Sequence, residues 1–147
     1  MDKINREILD ILQREGRISF AELGKKVHLS SPAAAERVKK MEESGLITGY
    51  KASIDIEKLG YPIEAMVQAK VFLGKETEFI KKAKSFSEIT ECYNVTGDKA
   101  FLLKVIVPSM SVLDKLLEEF SLICETSTMV VLSQLINSAV IASPAIK

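Results

Sequence analysis

The spacing of apolar residues along this 147-residue chain changes once, between Gly49 and Pro62. Before that stretch they recur every three or four positions, as on the inner face of a helix, and beyond it an interval of two enters, as on one face of a strand. Two parts with different periods need different cores, which predicts an α+β chain. The expected division is a helical domain over 1–50, a linker strand and hinge over 51–62, and a second domain over 63–147. In the linker Tyr50, Ala52, Ile54 and Ile56 alternate as a strand would, and Leu59-Gly60-Tyr61-Pro62 breaks the run.

The helical part carries its own start and stop signals. Asp2 is a good cap for a helix whose inner residues are Ile4, Ile8, Ile11 and Leu12, and Gly16 suits its end. Ser19-Phe20-Ala21-Glu22 is a capping box, which predicts a second helix from Phe20 to about Val27 with Leu23 and Val27 inward. Ser31 is expected to cap a third, with Pro32 at its first position, Ala34, Val38 and Met41 as its apolar stripe, and Gly45 closing it. Two short helices joined by a tight turn, the second capped and basic, describe a helix-turn-helix. The three-helix domain is therefore expected to be a winged helix-turn-helix.

Beyond the hinge, Val67, Ala69, Val71 and Leu73 alternate as in a half-buried strand, and helical spacing returns at Phe79, Ile80, Ala83 and Phe86. Two apolar segments, 89–96 and 100–107, flank Gly97-Asp98-Lys99, a hairpin turn. A helix over about 109–120 and a strand over 126–136 complete the order β-α-β-β-α-β, a ferredoxin-like unit with both helices on one sheet face. The stretch 101–107 is apolar at both alternating sets of positions, as is 129–132, so the second face needs a cover. A second copy of the chain is the economical one, which predicts a homodimer.

Composition narrows the function. Twenty Lys+Arg balance twenty Asp+Glu, so a basic surface has to be local. Cys92 and Cys124 lack metal or redox spacing and read as buried thiols, no cofactor is implied, and no apolar run is long enough to span a membrane. A cytoplasmic protein is expected. The only histidine is His28, no arginine follows Arg37, and Tyr93 is the one strand residue suited to acid–base work, so an enzyme is not expected.

Between Arg17 and Lys51 the cations Arg17, Lys25, Lys26, Arg37, Lys39, Lys40 and Lys51 outnumber Glu22, Glu36, Glu42 and Glu43. With Ala34, Val38 and Met41 inward, the outer arc of the third helix holds Pro32, Ala33, Glu36, Lys39 and Lys40, with Ala35 and Arg37 on its flanks. This is the face a recognition helix lays in the major groove of double-stranded DNA. Ser30 and Ser31 at the helix start suit a phosphate, as do Lys39 and Lys40, and Arg37 is the candidate for a base edge. Arg17 and Ser19 extend the expected DNA-binding set.

The residues Ile8, Leu9 and Leu12, the run Gly16-Arg17-Ile18-Ser19-Phe20-Ala21-Glu22-Leu23-Gly24, then Leu29-Ser30, Glu36-Arg37-Val38, Met41-Glu42, Gly45-Leu46-Ile47 and Gly49-Tyr50, resemble the N-terminal region of the Lrp/AsnC family of prokaryotic transcription regulators. The β-α-β-β-α-β part resembles that family's effector-sensing, dimerising domain, with Val95-Thr96-Gly97-Asp98-Lys99-Ala100-Phe101 where the family has its ligand loop. The resemblance implies a DNA-binding dimer that assembles into an octamer at the nucleoid and responds to an amino acid through Thr96, Gly97, Asp98, Lys99 and Ala100. The chain departs from the family where an aspartate is usual and Ala100 stands. That leaves three readings: Asp98 replaces the missing carboxylate, the effector differs, or there is none. An architectural protein that wraps DNA with little base preference is the competing function.

Overall fold

A computed structural model describes residues 1–137, 140 and 141. The elements are α1 (Lys3–Arg14), α2 (Phe20–Lys26), α3 (Ser31–Glu43), β1 (Ile63–Val71), α4 (Glu76–Ser85), β2 (Ile89–Asn94), β3 (Phe101–Val107), α5 (Met110–Glu118) and β4 (Cys124–Val130). They form two compact units, one holding 1–53 with the described residues from Ile136 onward, the other holding Ile54–Leu135.

In the first unit each helix starts where a side chain satisfies its free amides. The Asp2 carboxylate accepts from the Asn5 amide at 2.8 Å to open α1. The Ser19 hydroxyl accepts from the Glu22 amide at 3.2 Å while the Glu22 carboxylate accepts from the Ser19 amide at 3.3 Å, the expected box at the start of α2. Helix α3 begins one residue before the expected position. Ser30, not Ser31, is its cap, because the Ala34 amide that Ser31 would need already donates to the Ser30 carbonyl at 2.9 Å, while the Ser30 hydroxyl takes the Ala33 amide. Ile8, Leu23, Val27, Ala34, Val38 and Met41 close the core.

The expected linker strand is absent. Among the described residues no strand lies between α3 and Ile63, so the helical unit has no wing built of strands. Alternation of apolar residues makes a strand only where a neighbour supplies hydrogen bonds; Tyr50 and Ile54 are instead exposed, and 56–60 is a turn tied by the Tyr61 amide to the Ile56 carbonyl.

The second unit is an antiparallel sheet ordered β2-β3-β1-β4. Registers such as Val67↔Leu103 and Val67↔Thr128 fix which side chains share a face. One face sends Ala65, Val67 and Ala69 together with the alternate residues of β3 against Phe79 and Ala83 of α4 and Leu113 and Leu116 of α5. Phe79 is its hub, with ring centroids 4.9 Å from Phe101 and 5.5 Å from Phe120. Cys124 is buried there, and burial pushes its thiol up to about 11. Cys92, expected to be buried, is exposed, because β2 is the sheet's edge and its residues lack cover.

The other face carries Leu102, Lys104 and Ile106 of β3 beside Glu64, Met66 and Gln68 of β1. Each cross-strand pair on it sets an apolar side chain beside a polar one, Ile106 with Glu64, Met66 with Lys104 and Leu102 with Gln68, and Lys104 lies 3.4 Å from Glu64. Tyr93 and Met129 on its flanks are about half exposed. No helix among the described residues is long and apolar enough to cross a membrane.

Candidate nucleic-acid interface

The turn that presents α3 depends on close backbone approach. A Cβ on Gly24 would lie 2.6 Å from the Leu29 carbonyl oxygen, so no side chain can be admitted without moving the turn, and the Leu29 amide donates to the Gly24 carbonyl at 2.8 Å. Between them the exposed His28 takes a left-handed φ of 57°. The expected face then lies open: Ser30, Ser31, Pro32, Glu36, Lys39 and Lys40 are exposed and Ala33 is half-buried. Tyr50 holds the segment after α3 in place, donating to the Glu42 carboxylate at 2.8 Å; partial desolvation of its half-exposed side chain, then that bond, pushes its phenol up to about 12.

The cations of the face are held loosely. Lys39 lies 3.7 Å from Glu43 and Lys40 3.5 Å from Glu36, exposed pairs one helical turn apart whose contribution is small and readily exchanged for a phosphate. Arg17 is exposed near the start of α2. Ser19 is exposed too, but its hydroxyl donates to Glu22 at 2.9 Å, and that bond with the backbone amide holds the Glu22 carboxyl below its ordinary 4.5.

Arg37 departs from expectation. Its guanidinium turns away from the outer arc, and Nη1 donates to Asp2 Oδ2 at 2.6 Å and to Asn5 Oδ1 at 2.8 Å, both on the first turn of α1. The base-edge candidate is thus occupied within the fold: position 37 lies on the flank of α3 that borders α1, and a fixed carboxylate is a stronger partner than water. Sequence reasoning also passed over Phe20. Its ring is exposed and lines a shallow cleft with Pro32, Ala35, Glu36 and Lys39, beside the expected face. An apolar residue at the first position of a capped helix was the available signal.

In the second unit the hairpin at 96–100 is closed by the Val95 amide donating to the Ala100 carbonyl at 2.7 Å, with Gly97 at a φ of 109°. Thr96, Gly97 and Asp98 are exposed, Lys99 is half-buried, and Ala100 packs against the sheet's core. The position where the family has an aspartate is therefore apolar and turned inward. Asp98 accepts from the Lys99 amide at 3.0 Å through one oxygen. No cluster of three or more potential metal ligands occurs among the described residues.

Comparison with known proteins matches this division. The model of the AsnC-type helix-turn-helix domain matches residues 1–42, and that of the Lrp/AsnC ligand binding domain matches 64–141. The chain is 38% identical over 133 residues to the uncharacterized HTH-type transcriptional regulator YezC of Bacillus subtilis, covering 90% of this chain and 94% of that one. It is 37% identical over 145 residues to the leucine-responsive regulatory protein of Escherichia coli, covering 94% and 88%. The solved structure of Bacillus subtilis LrpC superposes with a TM-score of 0.87 at 30% identity, over 92% of this chain and 96% of that one. With both domain models matched in order and relatives similar over nearly their whole length, the chain belongs to the Lrp/AsnC family of helix-turn-helix transcription regulators.

Proposed function

We propose that the protein regulates transcription by binding a specific double-stranded DNA site as a homodimer, with α3 in the major groove. The observation that carries this reading is the outer face of α3, slim at Pro32 and Ala33, cationic at Lys39 and Lys40, and open at a helix start capped by Ser30. Ser30, Ser31, Lys39 and Lys40, with Arg17 and Ser19 at the edge, are assigned to phosphates, and Ala33 and Glu36 to base edges. In a two-fold dimer the two α3 helices would reach half-sites about 34 Å apart. The open sheet face, with Leu102, Ile106, Met66 and Met129 around the Lys104–Glu64 pair, is assigned to the partner copy, and dimers to an octamer; sedimentation of wild type against Leu102→Asp tests both assemblies. The place of action would be the cytoplasm, at the nucleoid.

Fluorescence anisotropy on the gene's own upstream DNA and on a scrambled duplex tests the reading. A preference of about a thousandfold or more supports it. Similar, steeply salt-dependent affinity for both supports the architectural reading, which the withdrawal of Arg37 from the groove face favours. For the effector, an amino acid is proposed, bound at 96–100 with Asp98 as the carboxylate; the matched ligand-binding domain and the leucine-responsive relative support that class. Calorimetric heat with leucine that vanishes in Asp98→Ala is the expected result. Heat that survives the substitution removes Asp98 from the site, and no heat with any amino acid favours a protein without such an effector.

A further inference from the structure

We propose that Arg37 is a positioning residue, one that sets the rotation of α3 by fastening it to the start of α1 through Asp2 and Asn5. The inference rests on the reading above that α3 contacts DNA. A single carboxylate does two jobs: Asp2 Oδ1 takes the Asn5 amide and opens α1, while Oδ2 takes Nη1 of Arg37, 35 positions along the chain. The Asn5 side chain supplies a second acceptor to the same nitrogen at 2.8 Å. Around this point the ends are also tied, with the Arg6 guanidinium donating to the Met1 carbonyl at 3.2 Å.

The need for such a fastening follows from what α3 buries. Its inner stripe is Ala34, Val38 and Met41, two small side chains and one flexible one, which satisfy burial over a range of helix rotations. Hydrogen bonds to a guanidinium are directional and do not. Residue 37 lies on the flank between the buried stripe and the outer arc, so holding it fixes which side chains the arc presents. Pulling Arg37 out to reach a base would break both bonds and leave the Asp2 carboxylate without its cation.

Asp2→Ser tests the link, since serine still caps a helix but is too short to reach Arg37. Anisotropy would compare wild type, Asp2→Ser, Arg37→Lys, Arg37→Ala and Asp2→Ser with Arg37→Ala, on the site and on scrambled DNA at several salt concentrations. The expected result is that Asp2→Ser and Arg37→Ala each weaken binding to the site about tenfold, a loss of the size a charge-assisted hydrogen bond carries, and binding to scrambled DNA less, since the rotation of α3 sets which side chains reach base edges. The site-to-scrambled ratio should fall alike in both variants and the salt slope stay put, the double variant should be no worse than Arg37→Ala, and Arg37→Lys should recover part of the loss. A ratio that falls, or a slope shallower by about 0.9, in Arg37→Ala alone, with Asp2→Ser binding normally, would overturn the proposal in favour of direct DNA contact. Amide exchange along α3 and NMR titration of Asp2 probe the fastening without DNA. The hydrogen bond from Arg37, then that from the Asn5 amide, holds the Asp2 carboxyl below its ordinary 3.8; Arg37→Ala should let it rise and speed exchange in α3. Unchanged titration and exchange would overturn the fastening even if DNA binding holds, whereas loss of DNA binding in wild type with both responses present would sink only the DNA reading.

Discussion

The helical unit and the sheet unit are held together by different means. Among the described residues the helical unit buries six side chains in its core, and the sheet unit fourteen, with four phenylalanine rings in contact once the partly buried Phe86 is included. A core of that smaller size leaves helix ends and helix rotation underdetermined, and in the helical unit polar devices supply what burial does not: the Asp2 and Ser30 caps, the Ser19–Glu22 box, the close approach at Gly24 and the Arg37 contact. In the sheet unit the ladder fixes the register and the side chains fill it. The lesson is that single atoms in turns and caps, each of smaller weight, organise the first unit, whereas packed aromatic rings organise the second.

The largest expected effect lies in the sheet. Phe79→Ala should remove about 3 to 5 kcal/mol of stability from that unit, read by urea unfolding, because the ring is fully buried between two others. A loss below about 1 kcal/mol would mean the surroundings collapse into the space and the unit is not organised around the ring. Gly24→Ala is the counterpart in the helical unit. Alanine ordinarily favours a helix interior over glycine by about 1 kcal/mol, yet here its Cβ would meet a backbone oxygen at 2.6 Å. The expected net result is destabilisation by about 1 to 3 kcal/mol, seen as a lower melting midpoint of the helical signal. A stabilised variant would show that the turn can shift, and would break the contrast between the units.

What was legible in the sequence follows the same division. Caps and turns act within three or four residues, so the helices and the Ser19–Glu22 box could be read from adjacent letters. The succession of strands and helices along the chain was readable from alternation and from the hairpin at Gly97, although the last strand, expected over 126–136, runs over Cys124–Val130, where β1 offers a partner. The Arg37 contact was not, since its partners lie 35 and 32 positions away and nothing in a count of charges distinguishes a cation facing solvent from one facing Asp2. Segment 50–56 misled in the opposite way: its alternation is real, but the described residues give it no neighbour to pair with. Cys92 lies in an apolar-looking run, and its exposure depends on β2 being an edge, a property of strand order.

Smaller effects sharpen the comparison at the helix starts. Ser30→Ala should cost about 1 kcal/mol and Ser31→Ala only a few tenths, because only Ser30 accepts an amide hydrogen bond of α3. Equal losses would mean that the cap moves between the two serines. The smallest effect is a pH dependence at Glu22. Its folded carboxyl titrates below the ordinary 4.5, so the unfolded chain takes up the proton first as acid is added; the stability this linkage gives is complete above that value and is lost as pH falls through the folded one. Glutamine in a capping box keeps an acceptor for the Ser19 amide without titrating. Melting midpoints followed from neutral pH down to about 3 should therefore fall less steeply for Glu22→Gln than for wild type, the remaining slope in the variant belonging in part to Asp2, whose carboxyl is lowered in the same sense. Parallel curves for the two proteins would mean that the ionised carboxylate adds nothing to the box beyond what a neutral acceptor gives, and that the helical unit's polar devices work by geometry alone.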